Sequence, residues 1–170
     1  LLREKGLARA AKKLGAGRTM NEGVIETYQH FNRRLGGMVE VNCETDFVAA
    51  TDNFRSFAKD LALHIANLNP QYIRREDVPE AIVATEREQQ RRRALEEGKP
   101  EAVADKIVSG RMDKFFEEIV LMEQPFLKDD DKTIQQLLAE TVAAIGESIE
   151  IRRFSRFALG EDTSDEGGEE

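Results

Sequence analysis

Between Gly23 and Leu68 the apolar residues change their spacing once, and that change limits the fold more than any other feature. Val24 to Phe31 is rich in β-branched and aromatic side chains, and Val39, Val41 and Cys43 then alternate with Met38, Glu40 and Asn42. A period of two sends successive side chains to opposite faces of a sheet, so both segments read as strands, with His30 inside the first. The turn signal between them runs from Asn32 to Gly37 and contains Gly36-Gly37, which predicts a β-hairpin. After it, Phe54, Phe57, Ala58, Leu61, Ala62, Ile65 and Leu68 recur at helical spacing and form a core-facing stripe that ends before Pro70.

The rest of the chain extends this pattern. Glu76-Asp77-Val78-Pro79 predicts a helix start with Pro79 in the first turn, and the helix runs to Gly98-Lys99-Pro100. A further helix carries Val103, Ile107, Val108, Met112, Phe115, Phe116, Ile119 and Val120 on one side, so the tight break implies an antiparallel helical hairpin. Gln124-Pro125-Phe126 and Asp129-Asp130-Asp131 read as a loop, and Thr133 to Ile145 as a helix stopped at Gly146. Ile149 to Leu159 has strand composition, and its alternation slips at Arg152-Arg153, which fits a bulge. The expected fold is α+β: a three-stranded antiparallel sheet with helices packed on one face and a helical hairpin. Strand order is left open.

Charge is unevenly distributed. Residues 1–18 carry six basic side chains against Glu4, and the last eleven carry six acids and no base; within a total of −8 this leaves −7 on the body. Such a body disfavours nonspecific nucleic-acid binding, which depends on neutralising phosphates. No run reaches the roughly 18 apolar residues of a membrane span, and no apolar segment follows the basic start, so neither a membrane span nor a signal peptide is expected. The single cysteine, Cys43, excludes a disulfide framework and a multi-cysteine zinc site and suits a reducing cytoplasm. Three regions are expected: residues 1–19 as the end of an N-terminal helical module with a basic linker around Gly15-Ala16-Gly17, 20–159 as the core domain, and 160–170 as a disordered acidic tail.

Few side chains suggest chemistry. No phosphate-binding Gly-x-x-x-x-Gly-Lys-Ser/Thr occurs, Asp129 to Asp131 lack the EF-hand pattern, and His30 and His64 lack a nucleophile in a recognisable motif. No cofactor, metal or catalytic residue is expected, which leaves a small hydrolase without support. Arg91-Arg92-Arg93 is open to two readings, a basic contact site or a solvated helix face neutralised by Glu88, Glu96 and Glu97. Asn42 to Val48 lies where strand pattern gives way to helix. There Thr45 or Asp46 can cap exposed backbone N–H groups. Phe47 either tucks under the helix with Val48 or projects as a rigid aromatic probe for a partner's pocket.

Val39-Glu40-Val41-Asn42-Cys43-Glu44-Thr45-Asp46-Phe47-Val48-Ala49 resembles the signature segment of the elongation factor Ts family, the exchange factors of the translational GTPase elongation factor Tu. Leu2-Arg3-Glu4-Lys5-Gly6-Leu7, Glu22-Gly23-Val24-Ile25 and Gly98-Lys99-Pro100-Glu101 are similar to further family motifs. So are Ile107 to Met112, Glu123 to Phe126, Ile145-Gly146-Glu147-Ser148-Ile149 and Ile151 to Phe154. The resemblance covers residues 1 to about 160 in order. It implies a protein that binds elongation factor Tu with GDP and promotes exchange for GTP, with Thr45, Asp46, Phe47 and Val48 dislodging magnesium from the partner's site. Only the final turn of the family's N-terminal module is matched, and the core is of the short form in which two chains pair, so a cytoplasmic homodimer with no direct nucleic-acid or membrane contact is expected. The alternative is a structural or RNA-associated adapter that uses the basic segments.

Overall fold

The computed structural model describes residues 20–162, so the N-terminal stretch with its Gly15-Ala16-Gly17 linker and most of the acidic tail lie outside the described residues. The chain divides into two compact units, one built from residues up to Asn69 and from Leu138 onward, the other from Pro70–Leu137.

In the first unit, β1 (Glu22–Gln29) and β2 (Leu35–Cys43) pair antiparallel from Glu22 opposite Cys43 to Gln29 opposite Gly36. The hairpin closes where the His30 N–H donates to the Leu35 carbonyl at 2.9 Å, with Arg33 in the left-handed region at φ 60° and Asn32 Oδ1 accepting from the Arg34 N–H. The turn is therefore shorter than the expected Asn32–Gly37, and both glycines belong to β2. A Cβ on Gly37 would come within 3.3 Å of the Ala62 carbonyl and 3.5 Å of the Ala66 side chain, so this glycine permits close helix approach instead of turning the chain. His30 falls just past β1, with Nδ1 2.7 Å from the Tyr28 hydroxyl, and Phe31 is exposed in the turn.

The sheet is completed by β5 (Ile149–Ala158), antiparallel to β2, in the order β1-β2-β5. Glu40 pairs with Arg153 but Val41 with Ile151, so Arg152 is the extra residue of a bulge at the place where the alternation slips. One face is covered by α1 (Asp46–Ala49) and α2 (Asp52–Leu68). Thr51 caps α2 by accepting from the Phe54 N–H, and Asn69 ends it in the left-handed conformation at φ 51° before Pro70. Phe54, Phe57, Ala58, Leu61, Ala62 and Ile65 are buried, as are Val39, Val41, Cys43, Ile149 and Ile151 of the sheet. The helical stripe and the alternating strand residues are thus two halves of one core. His64 is also fully buried on α2.

In the second unit, a 3₁₀ turn at Arg75–Asp77 precedes α3 (Glu80–Glu96), and Pro79 takes the N-cap position instead of the first turn. Gly98 at φ 80° and the bond from the Lys99 N–H to the Ala94 carbonyl reverse the chain into α4 (Glu101–Ile119). Ala94 and Ala104 are fully buried between the hairpin's helices, where small side chains allow a close approach. Val78, Val108, Met112, Phe116 and Val120 form a cluster beyond them, while Val103 stays largely exposed. Arg75 stacks 4.2 Å over the Phe116 ring and pairs with Glu123 and Asp113, and its bond to Glu123 above all raises the pKa of its guanidinium above the ordinary value.

The stretch expected as a loop forms a small antiparallel pair instead, β3 (Pro125–Phe126) with β4 (Asp129–Thr133). Burial of Phe126 holds this hairpin, whose acidic strand has little intrinsic preference for extended structure. Then α5 (Ile134–Ile145) ends at Gly146, φ 83°, with Ile134, Leu138 and Val142 buried.

Candidate functional site

The corner between β2 and α2 is built from its hydrogen bonds outward. Thr45 has extended backbone geometry (φ −129°, ψ 150°), and its hydroxyl accepts from the Val48 N–H at 3.3 Å, so the cap expected at Thr45 or Asp46 is Thr45. Asp46 begins α1, where a negative charge is favourable beside free N–H groups. The far end of α1 is tied to α2: Thr51 Oγ1 donates to the Val48 carbonyl at 2.7 Å, and Arg55 Nε to the Ala49 carbonyl at 3.3 Å.

This one-turn helix separates two apolar neighbours. Val48 is 6% exposed and anchors the corner in the core; Phe47 is 77% exposed. The reading that tucks both under the helix therefore holds for Val48 and not for Phe47. Thr45, Asp46 and Phe47 form an exposed edge standing on a buried Val48 and Ala49. With most of its ring in water on a well-bonded turn, Phe47 adds little to this chain's own packing.

Two further groups bond Thr45. The Cys43 thiol, fully buried, donates to the Thr45 carbonyl at 3.2 Å, and burial raises its pKa above the ordinary thiol value. Glu147, after the stop of α5, accepts from the Thr45 N–H at 3.2 Å and from its hydroxyl at 2.7 Å. Sequence reasoning left Glu147 without a role. Its signals were its place directly after the helix-stopping Gly146 and its inclusion in the resembling segment Ile145 to Ile149, and a contact spanning 102 residues leaves no trace in local periodicity.

Other candidates resolve differently. Arg91 pairs with Asp105 at 3.0 Å, Arg92 with Glu88 at 3.3 Å and Arg93 with Glu97 at 3.3 Å, which supports the neutralised helix face over a basic contact site. The exposed carboxylates of Asp129, Asp130 and Asp131 come within 4.8 Å of one another, and Lys132 lies 3.6 Å from Asp129. Among the described residues, no helix is long and apolar enough to cross a membrane.

A family model described as Elongation factor TS matches residues 4–161. Elongation factor Ts of Carboxydothermus hydrogenoformans is 58% identical over 161 residues, which covers 95% of this chain and 73% of the relative. Elongation factor Ts of Geobacter sulfurreducens is 55% identical over 160 residues, covering 94% and 73% respectively. That of Thermoanaerobacter sp. is 55% identical over 161 residues, covering 95% and 78%. A match running through both units and across the exposed Phe47 corner, with more than half of the aligned residues identical, shows that the chain belongs to the elongation factor Ts family.

Proposed function

We propose that this chain binds elongation factor Tu with GDP and promotes release of GDP, so that GTP can replace it. The observation that carries the reading is Phe47, an exposed aromatic on a corner whose other members are capped, bonded or buried. GDP is held largely through its phosphates, and a bound magnesium ion offsets their charge. A rigid ring pressed between packed elements beside that site displaces them, and the magnesium with them, without touching the nucleotide. In this scheme Phe47 enters the partner, Thr45 and Asp46 set its direction, and Val48 anchors the corner from below.

The rest is linkage. If this protein binds the empty GTPase more tightly than the GDP-bound one, it weakens GDP by the same factor, and GTP expels it in turn. No covalent bond is made or broken by this chain, and the reaction needs no cofactor from it; the setting is the cytoplasm. The decisive experiment is release of fluorescent GDP from elongation factor Tu with and without the chain. Acceleration that saturates with concentration is expected, and release at the spontaneous rate up to high concentration overturns the reading.

The exchange factor acts in this proposal as a homodimer. Opposite the helix-covered face, the register brings Ile25, Met38 and Phe157 onto one side of the sheet, 54%, 49% and 78% exposed. Apolar side chains on an open sheet face favour burial against a second copy. Light scattering at micromolar concentration should give twice 19.2 kDa, and a mass near 19.2 kDa would refute the pairing.

A further inference from the structure

We propose that Glu147 is a positioning residue for nucleotide exchange, setting the direction in which the corner presents Phe47; the inference rests on the exchange reading above. A single helical turn does not hold its own shape in water, so the orientation of α1 must come from its two ends. The C-terminal end is tied to α2 by Thr51 and Arg55. The N-terminal end depends on Thr45, and Glu147 grips Thr45 twice, at the backbone N–H and at the hydroxyl.

The second bond does more than add an attachment. Because Thr45 Oγ1 donates its proton to Glu147 Oε2 at 2.7 Å, its lone pairs are left to accept from the Val48 N–H at 3.3 Å. The carboxylate thus fixes the rotamer of a β-branched side chain that already has few to choose from, and that rotamer fixes the first turn of α1. The Cys43 thiol and the Ala49 N–H, both bonded to the Thr45 carbonyl, hold the carbonyl side but leave the hydroxyl free to rotate. Without Glu147 the turn stays attached at its C-terminal end and pivots there, carrying Phe47 off line.

The test measures release of N-methylanthraniloyl-GDP from elongation factor Tu over a range of concentrations of the full chain, with a thermal melt of each variant. Glu147→Ala should lower the saturating release rate roughly tenfold, the equivalent of one charge-assisted hydrogen bond. Glu147→Gln keeps the length; its amide oxygen can accept from the Thr45 N–H while its NH2 donates to the hydroxyl oxygen, which still fixes the rotamer, so it should recover most of the rate. Glu147→Asp keeps the charge but falls one carbon short, so it should melt close to wild type and yet release GDP as slowly as Glu147→Ala. In a Phe47→Ala background, Glu147→Ala should change nothing further, since there is no ring left to aim. Equal losses from Glu147→Ala in both backgrounds, or a wild-type rate for Glu147→Ala and Glu147→Asp, overturn the inference alone. A wild-type chain that leaves GDP release at its spontaneous rate overturns the exchange reading and this inference with it.

Discussion

Truncating Phe47 to alanine separates a contact side chain from a core one, and the structure sets the size of both effects. A fully enclosed phenylalanine buries roughly 200 Å². With Phe47 77% exposed, about 45 Å² of its surface is covered within the chain, so truncation removes about 1 kcal/mol of burial at about 25 cal/mol/Å². Alanine is the better helix former and returns about 0.5 kcal/mol on α1. The melting temperature should therefore move by less than about 4 °C. Phe54→Ala, at a fully buried position one helix later, should cost about 3–5 kcal/mol and melt at least about 6 °C earlier. The ordering reverses for exchange. An interface anchor of about 2 kcal/mol corresponds to roughly 30-fold slower GDP release for Phe47→Ala at subsaturating concentration, while folded Phe54→Ala should stay near wild type. Circular dichroism melts paired with fluorescent-GDP release decide the matter. A Phe47→Ala chain that melts as early as Phe54→Ala, or that melts normally and exchanges normally, refutes the reasoning.

Three other perturbations test the frame that carries the corner. Gly23 has φ 152°, and a Cβ there would lie 2.1 Å from the Val41 carbonyl oxygen, so Gly23→Ala should cost about 2–3 kcal/mol; an unchanged urea midpoint would contradict this. The Glu40 carboxyl is held below its ordinary value of 4.5 by its hydrogen bond with Asn42 and by Arg153 and Arg152 across the strand pair. A depressed carboxyl contributes stability that is complete above its unfolded value and is lost as pH falls through the folded one. Stability should therefore drop on acidification below about pH 4.5, and Glu40→Gln should flatten that limb; an unaltered acid limb in the variant would remove Glu40 from the explanation. Cys43, fully buried and with its pKa raised by burial, should react with a thiol-specific disulfide reagent only once the chain unfolds. Rapid labelling of the native protein would show that the corner opens.

Much of this protein was legible in local spacing because local spacing is what a strand or helix needs in order to bury one side. The stripe from Phe54 to Ile65 is buried as its period required, Val39, Val41 and Cys43 fill the facing sheet, and the lost alternation at Arg152-Arg153 is a real bulge. The corner from Asn42 to Val48 was visible for the same reason: it sits where one period stops and another begins, and Thr45 is a capping residue in the place a cap is needed.

What stayed hidden depends on partners distant in the chain. Gly36-Gly37 carries the composition of a turn, but only the approach of α2, with Ala62 and Ala66 lying over Gly37, shows that the pair belongs inside a strand. The segment around Asp129 has too little strand preference to announce the pairing that Phe126 imposes on it. Adjacent Phe47 and Val48 are both apolar and open to the same reading, and only the direction of the one-turn helix sends one into the core and the other into water. The strongest case is Glu147: a carboxylate 102 residues from the threonine it holds has no local signature, because its partner is chosen by the folding of β5 back onto β2 and not by anything nearby in the chain.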